Sequence, residues 1–126
     1  MRVLLAVVLA LLLPAAAGAA PASTRDCFLS SNWRGWSGPR DGDVLYLRVR
    51  GNDIYRVGLT PGSHVHRYAG DFLVNQVRGS SWICSALDLD LALMDYNGFS
   101  RPVIAADLRR LTPEEAAAIP HEDMPN

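Results

Sequence analysis

Between residues 44 and 59 the chain alternates so regularly that few folds stay open to it. Leu45, Leu47 and Val49 are separated by Tyr46, Arg48 and Arg50, and after Gly51-Asn52-Asp53 the pattern resumes with Tyr55, Val57 and Leu59 on one face. A period of two is that of a strand with one face buried. Two such runs joined by turn-forming residues predict a β-hairpin.

The rest of the chain points the same way. Ser37-Gly38-Pro39-Arg40-Asp41-Gly42-Asp43 and Thr60-Pro61-Gly62-Ser63 are loops flanking the hairpin. Phe72–Val77 predicts a third strand. From Leu87 to Leu93 four leucines alternate with Asp88, Asp90 and Ala92, which predicts a strand closed by the turn Asp95-Tyr96-Asn97-Gly98. Val103–Leu111 is the last predicted strand. Trp33 and Trp36 are spaced for one helical turn, although Gly35 lies between them. Thr112-Pro113-Glu114-Glu115 combines a cap, a proline in the first helical position and a capping-box glutamate, so a short helix starts there and stops at Pro120. The expected fold is mainly β, a small antiparallel barrel or roll with a short C-terminal helix.

The first 22 residues predict a destination. Met1-Arg2, an apolar run from Val3 to Leu13 and small residues from Pro14 to Ala22 have the three parts of a secretory signal. Small residues at the required positions place cleavage after Ala19 or Ala22. The apolar run is shorter than the roughly 20 residues a spanning helix needs. The expected organisation is a signal peptide over 1–22, one small β domain over 23–119 and a disordered tail over 120–126. After cleavage the chain is exported, to the periplasm or beyond, with no membrane span.

Charge and residue types remove several functions. The chain has 12 cationic residues, every one Arg, against 13 acidic ones. Cleavage removes Arg2, leaving 11 against 13. A net negative domain is poorly suited to nucleic acid or an anionic membrane. With no Lys, Schiff-base chemistry is excluded. Cys27 and Cys84 are the two cysteines, outside any Cys-x-x-Cys motif, and an oxidising compartment favours a disulfide between them.

Four fragments in order carry a resemblance: Arg25-Asp26-Cys27-Phe28, Asn52-Asp53-Ile54-Tyr55, Gly79-Ser80-Ser81-Trp82-Ile83-Cys84 and Leu111-Thr112-Pro113-Glu114-Glu115. Together they resemble a family of short exported bacterial proteins classed as a domain of unknown function (number 6491), over about Ser23 to Ile119. The resemblance implies export, a single compact domain and a Cys27–Cys84 bridge, and it implies no activity. Many relatives carry a second cysteine pair where this chain reads Pro61-Gly62-Ser63-His64 and Arg101-Pro102-Val103-Ile104, so this member is less cross-linked.

Candidate chemistry is sparse. His64 and His66, with Asp71, are a possible metal set but lack an assured third ligand. Asp88 and Asp90 share the polar side of the leucine-rich segment, where a solvated strand face explains them. Ser80-Ser81-Trp82 has no second Gly to make a nucleophile elbow. Trp82 is expected to cover the bridge. The residues most suited to recognition are Trp33 and Trp36, beside a Gly/Pro loop, and Arg48 and Arg50 on the hairpin, with Tyr46 and Arg56 nearby. The expectation is a non-enzymatic domain with no cofactor, binding an envelope partner or ligand. The alternative is a small hydrolytic or metal-assisted enzyme.

Overall fold

The computed structural model describes residues 26–40, 42–65 and 70–126. The expected signal peptide and its cleavage points lie outside the described residues. Nine strands and one helix follow in order: β1 (Phe28–Leu29), β2 (Trp33–Ser37), β3 (Val44–Val49), β4 (Ile54–Leu59), β5 (Phe72–Asn75), β6 (Trp82–Ile83), β7 (Leu91–Met94), β8 (Ser100–Val103), β9 (Ala105–Arg110) and α1 (Pro113–Ala117). They form three antiparallel sheets, ordered β2-β3-β4-β9, β5-β7-β8 and β1-β6. The fold is therefore mainly β and antiparallel with one short helix. Each sheet is open, so the barrel closure expected above is not found among the described residues.

The predicted hairpin is β3-β4. Val49 N–H donates to the Asp53 carbonyl at 2.9 Å, and Gly51 takes a φ of 74° at the turn, a conformation glycine adopts without steric cost. Its alternation sorts the two faces. Leu45, Leu47, Val49, Tyr55, Val57 and Leu59 face inward, where they meet Leu91, Leu93 and Val103 of the three-stranded sheet and Phe28 and Ile83 of the β1-β6 ribbon. Phe28 and Tyr55 pack with their rings tilted at 55° and centroids 4.7 Å apart. Burying these side chains is the dominant favourable term in the fold.

Cys27 and Cys84 are bonded, with Cα atoms 4.2 Å apart. The register explains why they meet. Phe28 is opposite Ile83 and Leu29 opposite Trp82, so the next antiparallel pair outward is Cys27 with Cys84. The bond is thus a cross-strand staple on a two-residue ribbon too short to hold itself together.

Four local expectations are corrected. The Trp33–Trp36 segment is strand β2, not a helical turn, because pairing with β3 satisfies its backbone and lets both indoles pack on the core. The leucine alternation is only partly a strand. Ala86–Asp88 is a 3-10 turn with Leu87 96% exposed, and pairing begins at Leu91. The segment predicted as one strand from Val103 is two strands in different sheets. Ile104 is the crossover point, with its N–H on Ser63 Oγ (3.1 Å) and its carbonyl accepting from Thr60 N–H (2.9 Å). Lastly, the expected disordered tail is ordered. His121–Asp123 is a 3-10 turn, the Pro125 side chain is fully buried, and the Asn126 carbonyl sits so close to Gly35 that a Cβ there would collide with it.

Three carboxylates close turns among the described residues, Asp95 by accepting at Oδ1 from Asn97 N–H and Phe99 N–H (both 2.9 Å), and Asp88 and Glu115 at their own turns. Asp88 Oδ2 accepts from Cys84 N–H (2.9 Å), Ser85 N–H (2.9 Å) and Ser85 Oγ (3.2 Å). Glu115 accepts from Thr112 N–H (2.9 Å) while Thr112 Oγ1 accepts from Glu115 N–H (3.2 Å), the predicted capping box. The Cys84 and Ser85 amides hold the Asp88 carboxyl below its ordinary pKa. The Thr112 amide, then Arg109, does the same for Glu115.

Three outcomes follow. Breaking the bridge with a Cys27→Ser/Cys84→Ser pair costs about 4 kcal/mol, the chain-entropy figure for a loop of 57 positions, read by urea denaturation. Leu87→Ala changes stability by less than about 0.5 kcal/mol, whereas Leu93→Ala, at a site 1% exposed, costs about 2–5 kcal/mol. Because both capping carboxyls are depressed in the folded state, their contribution is complete above the unfolded-state values and is lost as pH falls through the lower folded-state values. Thermal melts therefore show a shallower acid decline for Asp88→Asn/Glu115→Gln than for the parent, with a lower midpoint at neutral pH.

Candidate functional site

The inner face of the four-stranded sheet makes the core, so recognition has to come from its outer face and its edges. On the outer face the cross-strand pairs place Arg48 beside Ile54, and Tyr46 beside Arg56 and then Arg109. The chain after β9 returns across this face as α1 and the C-terminal segment. Between that strap and the hairpin lies a cleft of about 680 Å³. Its walls are largely apolar, formed by Ile54, Leu111, Pro113, Ala116, Ala117 and Met124. Its polar groups are Arg48, Asn52, Asp53, Arg110 and Thr112. A concave apolar site with few converging polar groups, in this size range, is the usual form of a small-ligand site.

The two guanidinium groups of the cleft differ. Arg110 is answered within the fold, with Nη2 2.5 Å from Asp53 Oδ1, a bond that also holds Arg110 in its charged form. Arg48 is not. It is half-buried, and its Nε is shut off from solvent with no hydrogen-bond acceptor. A buried donor left without an acceptor costs roughly 1–3 kcal/mol, more when the group is charged. With Arg110 and Asp53 paired, Arg48 is the remaining charged side chain among the described residues that line the cleft.

The four residues expected to form a recognition surface are not together. Arg48 lines this cleft. Arg50 is exposed at the hairpin end and lines neither it nor the second groove. Trp33 and Trp36 line a different groove, of about 550 Å³, with Phe72, Leu73, Asn75 and Val77. Trp33 Nε1 is already used, donating to the Gly35 carbonyl at 2.8 Å. Trp82, expected over the bridge, stands 52% exposed on β6.

The other candidates have structural partners. Asp88 caps its turn. Asp90 pairs with Arg78 Nε at 2.7 Å, so the two carboxylates are not a shared site. Ser80 Oγ accepts from Trp82 N–H (3.1 Å), and the Ser81 carbonyl accepts from Ser30 N–H (2.8 Å), which ties that loop to β1. His64 is exposed, and Asp71 has a nearly buried side chain 3.7 Å from Arg101. His66 lies outside the described residues. Among the described residues no group of three His, Cys, Asp or Glu can hold a metal ion.

Two contributors were missed by sequence reasoning. Asn75 accepts from Asp90 N–H through Oδ1 (2.8 Å), while its Nδ2 is buried without an acceptor. An Asn ending a strand carries no pattern that marks this. Met124 helps wall the cleft from a segment expected to be disordered; Ile119, Met124 and Pro125 were the apolar signal that it folds back.

No family model, no curated protein and no solved structure matches this chain.

Proposed function

We propose that the chain is an exported, non-enzymatic binding domain of the bacterial envelope, and that the cleft between α1 and the hairpin takes a small ligand joining one anionic group to an apolar body. The observation that carries this reading is Arg48, a half-buried cation that lines a cleft with mostly apolar walls and makes no ion pair among the described residues. A carboxylate or similar oxyanion supplies the charge partner that this guanidinium lacks. The Ala116, Ala117 and Met124 side takes the apolar part.

Export is supported by the leader's three-part pattern and by the Cys27–Cys84 bond, which persists in oxidising compartments. Among the described residues no helix is long and apolar enough to cross a membrane. The resemblance to the domain of unknown function implies no activity, so the ligand chemistry rests on the cleft alone.

The test is a titration of isotope-labelled mature protein with octanoate, with octanol as the uncharged control. Octanoate is expected to shift the Arg48 Nε–H and the α1 amide resonances, and octanol to do so at least tenfold more weakly. Arg48→Met is expected to lower octanoate affinity by tenfold or more, about 1.4 kcal/mol. Equal binding of acid and alcohol, no shift with either, or undiminished binding by Arg48→Met overturns the reading.

A further inference from the structure

The second groove has a feature that a small-molecule cleft does not: its two walls are sheet edges. β2 ends the four-stranded sheet and β5 ends the three-stranded one. Both line the groove, β2 through Trp33, Arg34 and Trp36, and β5 and the residues after it through Phe72, Leu73 and Val77.

The hydrogen-bond parity shows which backbone groups are left. Gln76 N–H donates to the Asp90 carbonyl at 2.9 Å. Alternate pairs of an antiparallel ladder exchange bonds, so the pairs Val74/Ala92 and Phe72/Met94 do so. The main-chain groups of Leu73 and Asn75 then face away from β7, toward the groove side they line. On the other sheet, Val49 N–H donates to the Asp53 carbonyl, which turns the main chain of Tyr46 and Arg48 toward β2. Their partners Ser37 and Gly35 are engaged, and the Trp36 main chain faces the free edge.

Proteins protect such edges with charge, proline or cover. The β5 sequence, Phe72-Leu73-Val74-Asn75, has neither charge nor proline, and Phe72 and Val77 are 47% and 51% exposed. Beside it lies the buried Asn75 Nδ2 with no acceptor.

We infer that this groove is a β-augmentation site: it accepts an extended segment of another protein, which pairs with the β5 edge at Leu73 and Asn75 and rests its side chains on Trp33, Trp36 and Phe72. The main-chain carbonyls of such a segment supply acceptors to the free edge amides. Alternate side chains of an extended segment point to one side, so its apolar residues recur at every second position. Among the described residues that line the groove Arg34 is the ionisable side chain, and it selects for an Asp or Glu in the segment. The inference is independent of the ligand proposed for the cleft beneath α1.

The experiment is selection of a displayed random decapeptide library on the mature protein, followed by hydrogen exchange with a selected synthetic peptide. Expected are enriched sequences with apolar residues at alternate positions and an acidic residue, and at least tenfold added protection of the Leu73, Asn75 and Trp36 amides. Leu73→Pro removes an edge donor that the β7 ladder does not use, and is expected to weaken binding by tenfold or more. Should that variant fail to fold, the same peptide methylated at alternate backbone nitrogens decides, with the same loss expected. Failure to enrich any sequence, or undiminished binding by the methylated peptide, overturns the inference. So does protection of these amides by raised protein concentration alone, which is self-pairing. Quenching of tryptophan fluorescence by maltoheptaose without peptide enrichment identifies a carbohydrate platform instead, and also overturns it.

Discussion

The Cys27–Cys84 bond is the constraint on which the arrangement of sheets depends. It closes a two-residue ribbon that could not persist alone, and that ribbon brings Phe28 and Ile83 into the core between the two larger sheets. It also fixes where the chain enters β2 and where it leaves toward β7. Asp88 reinforces the second of these, because its carboxylate gathers the Cys84 and Ser85 amides immediately after the bridge. In a domain of this size the core alone gives a narrow margin, and one covalent link between residues far apart in sequence adds to it through the unfolded state.

The four-stranded sheet then serves two purposes at once. Its inner face is apolar and holds the fold. Its outer face carries Tyr46, Arg48, Arg56 and Arg109 and would be an ordinary solvated surface if the chain ended at β9. Instead α1 and the C-terminal segment cross it, burying Ile54 and Ile119 and enclosing part of Arg48. That covering turns a charged surface into a cleft. It also sets apart two arginines that look alike in sequence: Arg110 is neutralised by Asp53, whereas Arg48 keeps an unanswered donor.

Local patterns were legible where one physical cause acts alone. The alternation of residues 44–59 reports a single buried face, and it yields the hairpin in register. The cap, proline and glutamate at Thr112–Glu115 report backbone donors that need partners, and they yield α1. The pattern misled at Leu87, where alternation resembled a strand but two consecutive amides were better satisfied by Asp88 in a 3-10 turn. It also misled around Ile104, where a continuous run hides a change of sheet held by Thr60 and Ser63, residues some 40 positions earlier.

What the sequence by itself determined is the class of the domain, its hairpin, its terminal helix and the availability of two cysteines for one bridge, because each rests on neighbouring residues or on composition. Only the tertiary structure decided which clefts the surface carries. Arg48, Ala117 and Met124 meet because the tail folds back over the outer face. Trp36 and Leu73 share a groove because two separate sheets end there. Both clefts arise from contacts between elements distant in sequence, and no spacing or periodicity encodes which edges and faces those contacts leave open.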